Sequence, residues 1–136
     1  MCRLLALLAL LLASAALAGC TAANPNTSAG GFEGEERDVA QVIDDLKGSR
    51  DPEEICSRLL TDDFAKSLEA DGHDCVDEFE AVIRDVADTD MDVRDISVSG
   101  STARAQVRQD GKSATFELER DGSSWRISSF GQPEGR

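Results

Sequence analysis

The stretch MDVRDISVSGSTARAQVRQDGKSATFELERDGSSWRISSF, residues 91–130, decides the fold. Its apolar residues recur at every second position: Ile96 and Val98, then Ala103, Ala105 and Val107, then Ala114, Phe116 and Leu118, then Trp125 and Ile127. That period belongs to strands with one buried face. The alternation breaks at Ser99-Gly100, Asp110-Gly111 and Asp121-Gly122, dipeptides of the kind that close two-residue hairpins. Taking each dipeptide as the loop fixes a register. Around Asp110-Gly111, Val107 meets Ala114, Ala105 meets Phe116 and Ala103 meets Leu118. Around Asp121-Gly122, Leu118 meets Trp125 and Phe116 meets Ile127; around Ser99-Gly100, Ile96 meets Ala103. On the opposite face the same registers align Asp95, Arg104, Glu117 and Arg126. Neighbours in this row attract, by a few tenths of a kcal/mol up to about 1. One misfit remains: Arg94 would point to the core and Val93 away from it. A β-bulge near Arg94-Asp95 corrects this and bends the sheet. The expectation is a curved four-stranded antiparallel meander.

Upstream the period is helical. Val39, Val42, Ile43 and Leu46 fall at i, i+3, i+4 and i+7, with Glu35, Glu36 and Asp38 near the start and Gly48 as the stop. Asp51 then caps a second helix with Pro52 at its first position and Glu54 completing a D-x-x-E box. Ile55, Cys56, Leu59 and Leu60 form its apolar face, a short piece with Phe64 and Leu68 continues it, and Asp71-Gly72 ends it. Asp74 caps a third helix whose apolar face holds Cys75, Val76, Phe79, Val82, Ile83 and Val86. Helices followed by a meander predict an α+β fold, three helices packed on one face of the sheet.

The chain has 136 residues, 14 Lys+Arg against 27 Asp+Glu, and a formal net charge of −13. A surface this acidic repels phosphate, which argues against nucleic-acid partners. The N-terminus carries an address. Arg3 precedes the Leu/Ala run Leu4–Leu12 and small residues follow, the layout of a secretory signal. The run is shorter than the ~20 residues of a membrane span. It ends in Leu17-Ala18-Gly19-Cys20, which resembles the lipobox of bacterial lipoproteins. That resemblance implies a diacylglycerol on the Cys20 sulfur, cleavage before Cys20, and anchoring on the extracytoplasmic face of the cell membrane. Ala16-Leu17-Ala18 is also an A-x-A site, which would release a free secreted protein. Residues 21–34, TAANPNTSAGGFEG, are small and turn-forming, so 20–34 reads as a flexible tether. Asn26-Thr27-Ser28 matches a glycosylation sequon and reads as chance in a polar linker. The division is 1–19 signal, 20–34 tether, 35–131 one domain, and 132–136 tail.

Helices first, then a bent sheet ending in Gly-Ser-Ser-Trp-Arg-Ile, resembles the nuclear transport factor 2-like (cystatin-like) α+β cone. It is similar to small lipoproteins of high-GC Gram-positive bacteria that carry such a domain. The resemblance covers about residues 36–130 and rests on element order and the placement of Cys56 and Cys75. It implies a cone that holds a ligand, or a sheet that dimerises or docks a partner.

Cys56 and Cys75 remain after export into an oxidising compartment, an even pair on apolar helix faces. They read as a disulfide joining the second and third helices. Free thiols or a catalytic thiol are the alternatives, and one histidine is a thin supply of bases. Asp88, Asp90 and Asp92 are spaced like the first ligands of a calcium loop, but Val93 and Ser99 stand where that loop needs Gly and Glu. An acidic connection is the better reading, and no metal is expected. His73 reads as an exposed loop residue and Trp125 as a core plug facing Leu118. The row Arg104, Glu117 and Arg126 reads as a solvated ladder or a partner-facing surface. The superfamily includes enzymes such as ketosteroid isomerase, whose chemistry uses a pocket Asp and a Tyr; this chain has no Tyr. No cofactor and no catalytic residue is expected. The first reading is a lipid-anchored, non-catalytic binding module for a small apolar ligand in the cone or an envelope protein on the sheet. The rivals are a structural or regulatory accessory with a filled cone and no ligand, acting by protein contacts alone, and an isomerase- or hydrolase-like enzyme; the sheet face is also a candidate homodimer contact.

Overall fold

Four strands pair antiparallel in chain order: β1 (Met91–Ser99), β2 (Thr102–Gln109), β3 (Lys112–Asp121) and β4 (Ser124–Phe130). The computed structural model describes residues 28–69, 72–86 and 90–131, except the side chains of Asp85 and Val86. The signal at 1–19, Cys20, the sequon residues Asn26 and Thr27, Asp71, Asp88 and the tail 132–136 lie outside the described residues. Around Asp110-Gly111 the pairs are as expected, Val107 with Ala114, Ala105 with Phe116 and Ala103 with Leu118. Both turn residues have positive φ, 49° and 78°, as a type I′ turn demands.

The other two hairpins close one residue later than the sequence suggested. Ser99 pairs with Thr102 and Asp121 with Ser124, so the loops are Gly100-Ser101 and Gly122-Ser123. Each glycine takes the first loop position at positive φ, 60° and 63°, which a residue without Cβ adopts at no steric cost. Partners shift by two at Ile96 and Leu118, and by three at Phe116, where β4 carries an extra residue. Ile96 faces Ala105 rather than Ala103. Leu118 faces Ile127 rather than Trp125, and Phe116 faces Phe130 rather than Ile127. A slip of two leaves every side chain on its face, so Ile96, Ala103, Ala105, Val107, Phe116, Leu118, Trp125 and Ile127 are all buried. The bulge near Arg94-Asp95 is present: the register shifts between Val93 and Asp95, which turns Val93 inward opposite Val107. A second shift, between Glu117 and Leu118, leaves Ser128 as an extra residue in β4 and brings Phe130 to the core face.

The helical half has four helices where three were expected. Helix α1 (Gly34–Gly48) buries Val39, Ala40 and Ile43 and contacts β1, β2 and β4. Ala103 and Ala105 of β2 are buried in the same core. Helix α2 (Pro52–Glu54) starts as read, with the Asp51 side chain accepting from the Glu53 and Glu54 amides. It then widens into a π-turn, Ile55–Leu59, closed by Leu60 N donating to Ile55 O at 3.1 Å. Leu60 leaves helical geometry to bridge Ile127, and Thr61 N donates to Ile127 O at 2.9 Å. Thr61 caps a separate helix, α3 (Asp62–Leu68), through Phe64 N. The Thr61 cap and the first-turn acids Asp62 and Asp63 make this a separate start, where a continuation of the second helix was expected. Helix α4 (Cys75–Val86) follows, with Asp77 N donating to the Asp74 carboxylate at 2.8 Å.

The stretch expected as a tether is partly docked. Ser28–Gly31 forms a 3₁₀ turn with Ala29 buried. The Ser28 and Ala29 amides donate to Asp44 at 3.0 and 2.9 Å, and Val93 N donates to Ser28 Oγ at 3.2 Å. The Asp44 carboxylate thus holds the segment as an N-cap holds a helix. Asp44→Ala is expected to cost about 1–2 kcal/mol and to open residues 28–33 to limited proteolysis. Unchanged cleavage kinetics would show that the carboxylate is not what holds the segment.

Candidate functional site

Helix α1 packs on the sheet, against β1, β2 and β4. Helix α4 packs chiefly against α2, the π-turn and α3, and its first residue, Cys75, is bonded to Cys56. The expected disulfide is present, with Cα atoms 6.1 Å apart. The helix therefore stands beside the sheet rather than flat on it. Between them lies a cleft of about 340 Å³. Leu46 of α1, Phe79, Val82 and Ile83 of α4, and Met91, Ala114, Phe116 and Phe130 of the sheet line it. Val82 is 43% exposed, the one large apolar side chain so exposed among the described residues. The volume lies at the lower end of the roughly 300–1,000 Å³ of small-ligand sites.

Aromatic packing fixes the floor. The Phe130 ring meets Phe64, Phe116 and Phe79 edge-on, with centroids 5.2, 4.8 and 6.2 Å apart. Four of the five phenylalanines of the chain thus share one cluster. Such edge-to-face pairs contribute about 0.5–1.5 kcal/mol each beyond area burial. They tie β3 and β4 to α3 and α4. Among the described residues the ionisable groups of the lining are Lys47, Arg50 and Glu78, all three exposed at the rim. The Lys47 ammonium donates to Met91 O at 3.2 Å, and the nearby Ser49 hydroxyl donates to Glu54 at 3.0 Å. Among the described residues the lining is mainly aliphatic and aromatic, a surface suited to holding an apolar body.

The other residues singled out in the sequence sit apart from the cleft. His73 is exposed. Asp90 and Asp92 are exposed, and Asp92 pairs with Arg94 at 3.4 Å. Among the described residues no three His, Cys, Asp or Glu side chains converge on a metal site. Trp125 is buried at 5% exposure, as a core plug should be. It faces Arg120, not Leu118, and the Arg120 guanidinium lies 4.8 Å from the ring centroid and pairs with Glu35.

The charge row survives only as Arg104–Glu117, at 3.2 Å. Asp95 faces Gln106, and Arg126 faces Glu119. Arg126 instead reaches Asp121 at 3.2 Å and donates to the Ser57 carbonyl at 3.1 Å. It thereby ties β4 to the π-turn, a structural task. A smaller depression of about 270 Å³ between α1 and the β3–β4 hairpin mixes Asp38, Asp45 and Arg58 with serines and Trp125. It lacks the continuous apolar wall of the cleft.

The sequence reading missed Phe130 and the rim cations. Phe130 falls out of the alternation because Ser128 is bulged; the spacing of three from Ile127 was its one signal. Among the described residues no helix is long and apolar enough to cross a membrane. Comparison with protein-family models, curated proteins and solved structures finds no match for this chain.

Proposed function

We propose that this is an exported lipoprotein, lipidated on Cys20 and held on the extracytoplasmic face of the cell membrane, whose domain binds a small apolar ligand without transforming it. The nuclear transport factor 2-like cone is the fold family we assign it to, on element order. The cleft beside α4 carries the functional reading: an apolar wall with charge confined to its rim. Docking on the sheet has less support. The outer face carries Arg104, Gln106, Arg108, Thr115, Glu117 and Glu119, a polar surface. Both edges are partly shielded, β1 by Ser28 and β4 by Leu60, and shielded edges resist strand-to-strand association.

Anchoring by two or three acyl chains holds a protein far better than one chain does. Removal of residues 1–19 with Arg3 leaves 13 basic against 27 acidic residues, a net charge of −14. Such a domain is repelled by anionic lipid within a Debye length of about 8 Å. The test is native mass spectrometry of the processed protein, extracted from its own membranes without reduction. A bound small-molecule adduct supports the binding module. A bare protein, or one bound only to itself or another protein, replaces it with the accessory reading.

A further inference from the structure

We propose that the cleft takes a single-chain acidic amphiphile, with its acyl chain along α4 and its carboxylate between Lys47 and Arg50. This deepens the binding reading above and rests on it. Charge is the first observation. In a chain of net charge −13, Arg58, Arg94, Arg104, Arg120 and Arg126 form ion pairs with neighbouring acids, and the other seven cations among the described residues form none. Lys47 and Arg50 form none among the described residues, yet both stand at the mouth of the apolar cleft. The helix dipole explains a lysine in the last turn of α1. It does not explain Arg50, which lies beyond the Ser49 C-cap. Lys47 is also positioned, its ammonium held by the Met91 carbonyl with two N–H donors to spare. One acid, Glu78, shares the lining, so the rim is cationic on balance against an acidic surround.

Shape is the second observation. About 340 Å³ of cleft walled by Phe79, Val82 and Phe130 suits one chain better than two. Position is the third. Ser28 docks on Val93, two residues along β1 from the cleft residue Met91. Cys20 lies eight residues before Ser28, at most about 29 Å of extended chain. A lipid anchor on Cys20 therefore keeps the cleft mouth within reach of membrane-derived amphiphiles.

The test labels the protein in its own membrane fraction with photoactivatable dodecanoic acid and, separately, with the matching alcohol. Peptides are then mapped. The acid is expected to label residues 78–83, Met91 and residues 114–130 about 3- to 30-fold more than the alcohol. Lys47→Gln with Arg50→Gln should equalise the two probes. Exchanging the cations (Lys47→Arg with Arg50→Lys) should keep the preference, as should Lys66→Gln away from the cleft. The non-reducing mobility of each variant verifies its disulfide. Equal labelling by both probes, unchanged in the double variant, overturns the head-group assignment and leaves the apolar cleft standing. Cleft labelling by neither probe overturns the binding reading itself.

Discussion

Replacing Cys56 and Cys75 together with alanine is expected to lower the stability of the domain by about 3 kcal/mol, or roughly 12–24 °C in Tm. The bond closes a sequence separation of 19 residues, and the loss is chiefly the loop-closure entropy returned to the unfolded chain. The effect should be uneven. Helix α4 packs chiefly on α2, α3 and the π-turn, all near the bond, whereas α1 is held by β1, β2 and β4. Amide exchange should therefore accelerate most in Cys75–Val86 and least in β2 and β3. The variant should also bind any cleft ligand more weakly, since α4 carries Phe79, Val82 and Ile83 into that wall. Thermal unfolding and exchange on the processed protein decide this. A loss under 1 kcal/mol, or uniform acceleration, would show that side-chain packing alone fixes α4.

The hairpins show why some of this was readable and some was not. Asp110-Gly111 puts both loop residues at positive φ, and the sequence offers no rival glycine nearby, so the β2–β3 register was legible to the residue. Ser99-Gly100 and Asp121-Gly122 each have a serine after the glycine, and the structure uses Gly-Ser instead. Hydrophobic alternation cannot separate registers two apart, because both keep the same faces. The core was therefore readable while the pair partners, and the charge row built on them, were not. The bulge at Arg94 was legible because it changes parity: without it Arg94 would be buried and Val93 exposed. The break after Leu59 was missed because Ile55, Leu59 and Leu60 suit a helix and a π-turn equally. The cleft could not be read at all. It arises from where α4 fails to reach the sheet, a matter of tertiary spacing rather than local pattern.

Leu118→Ala should cost about 3–5 kcal/mol, toward the upper part of the range for buried Leu truncations. Leu118 is 1% exposed and lies between Ala103 on β2 and Ile127 on β4. Collapse of the surroundings is what lowers the cost of such a cavity, and here it is restricted. Ala103 has no further side chain to move into the gap. Ile127 is held from the far side by the Leu60 bridge and by Thr61 N donating to its carbonyl. The outward neighbour gives the contrast. Glu117→Ala removes the Arg104 pair, whose partners are 69% and 47% exposed, and should cost under about 1 kcal/mol. Urea unfolding of the two variants therefore measures the face assignment directly, with equal m-values and widely separated midpoints. A Leu118→Ala cost near that of Glu117→Ala would mean that β3 presents its other face to the helices. The registers on either side of β3, and the floor of the cleft at Phe116, would fall with it.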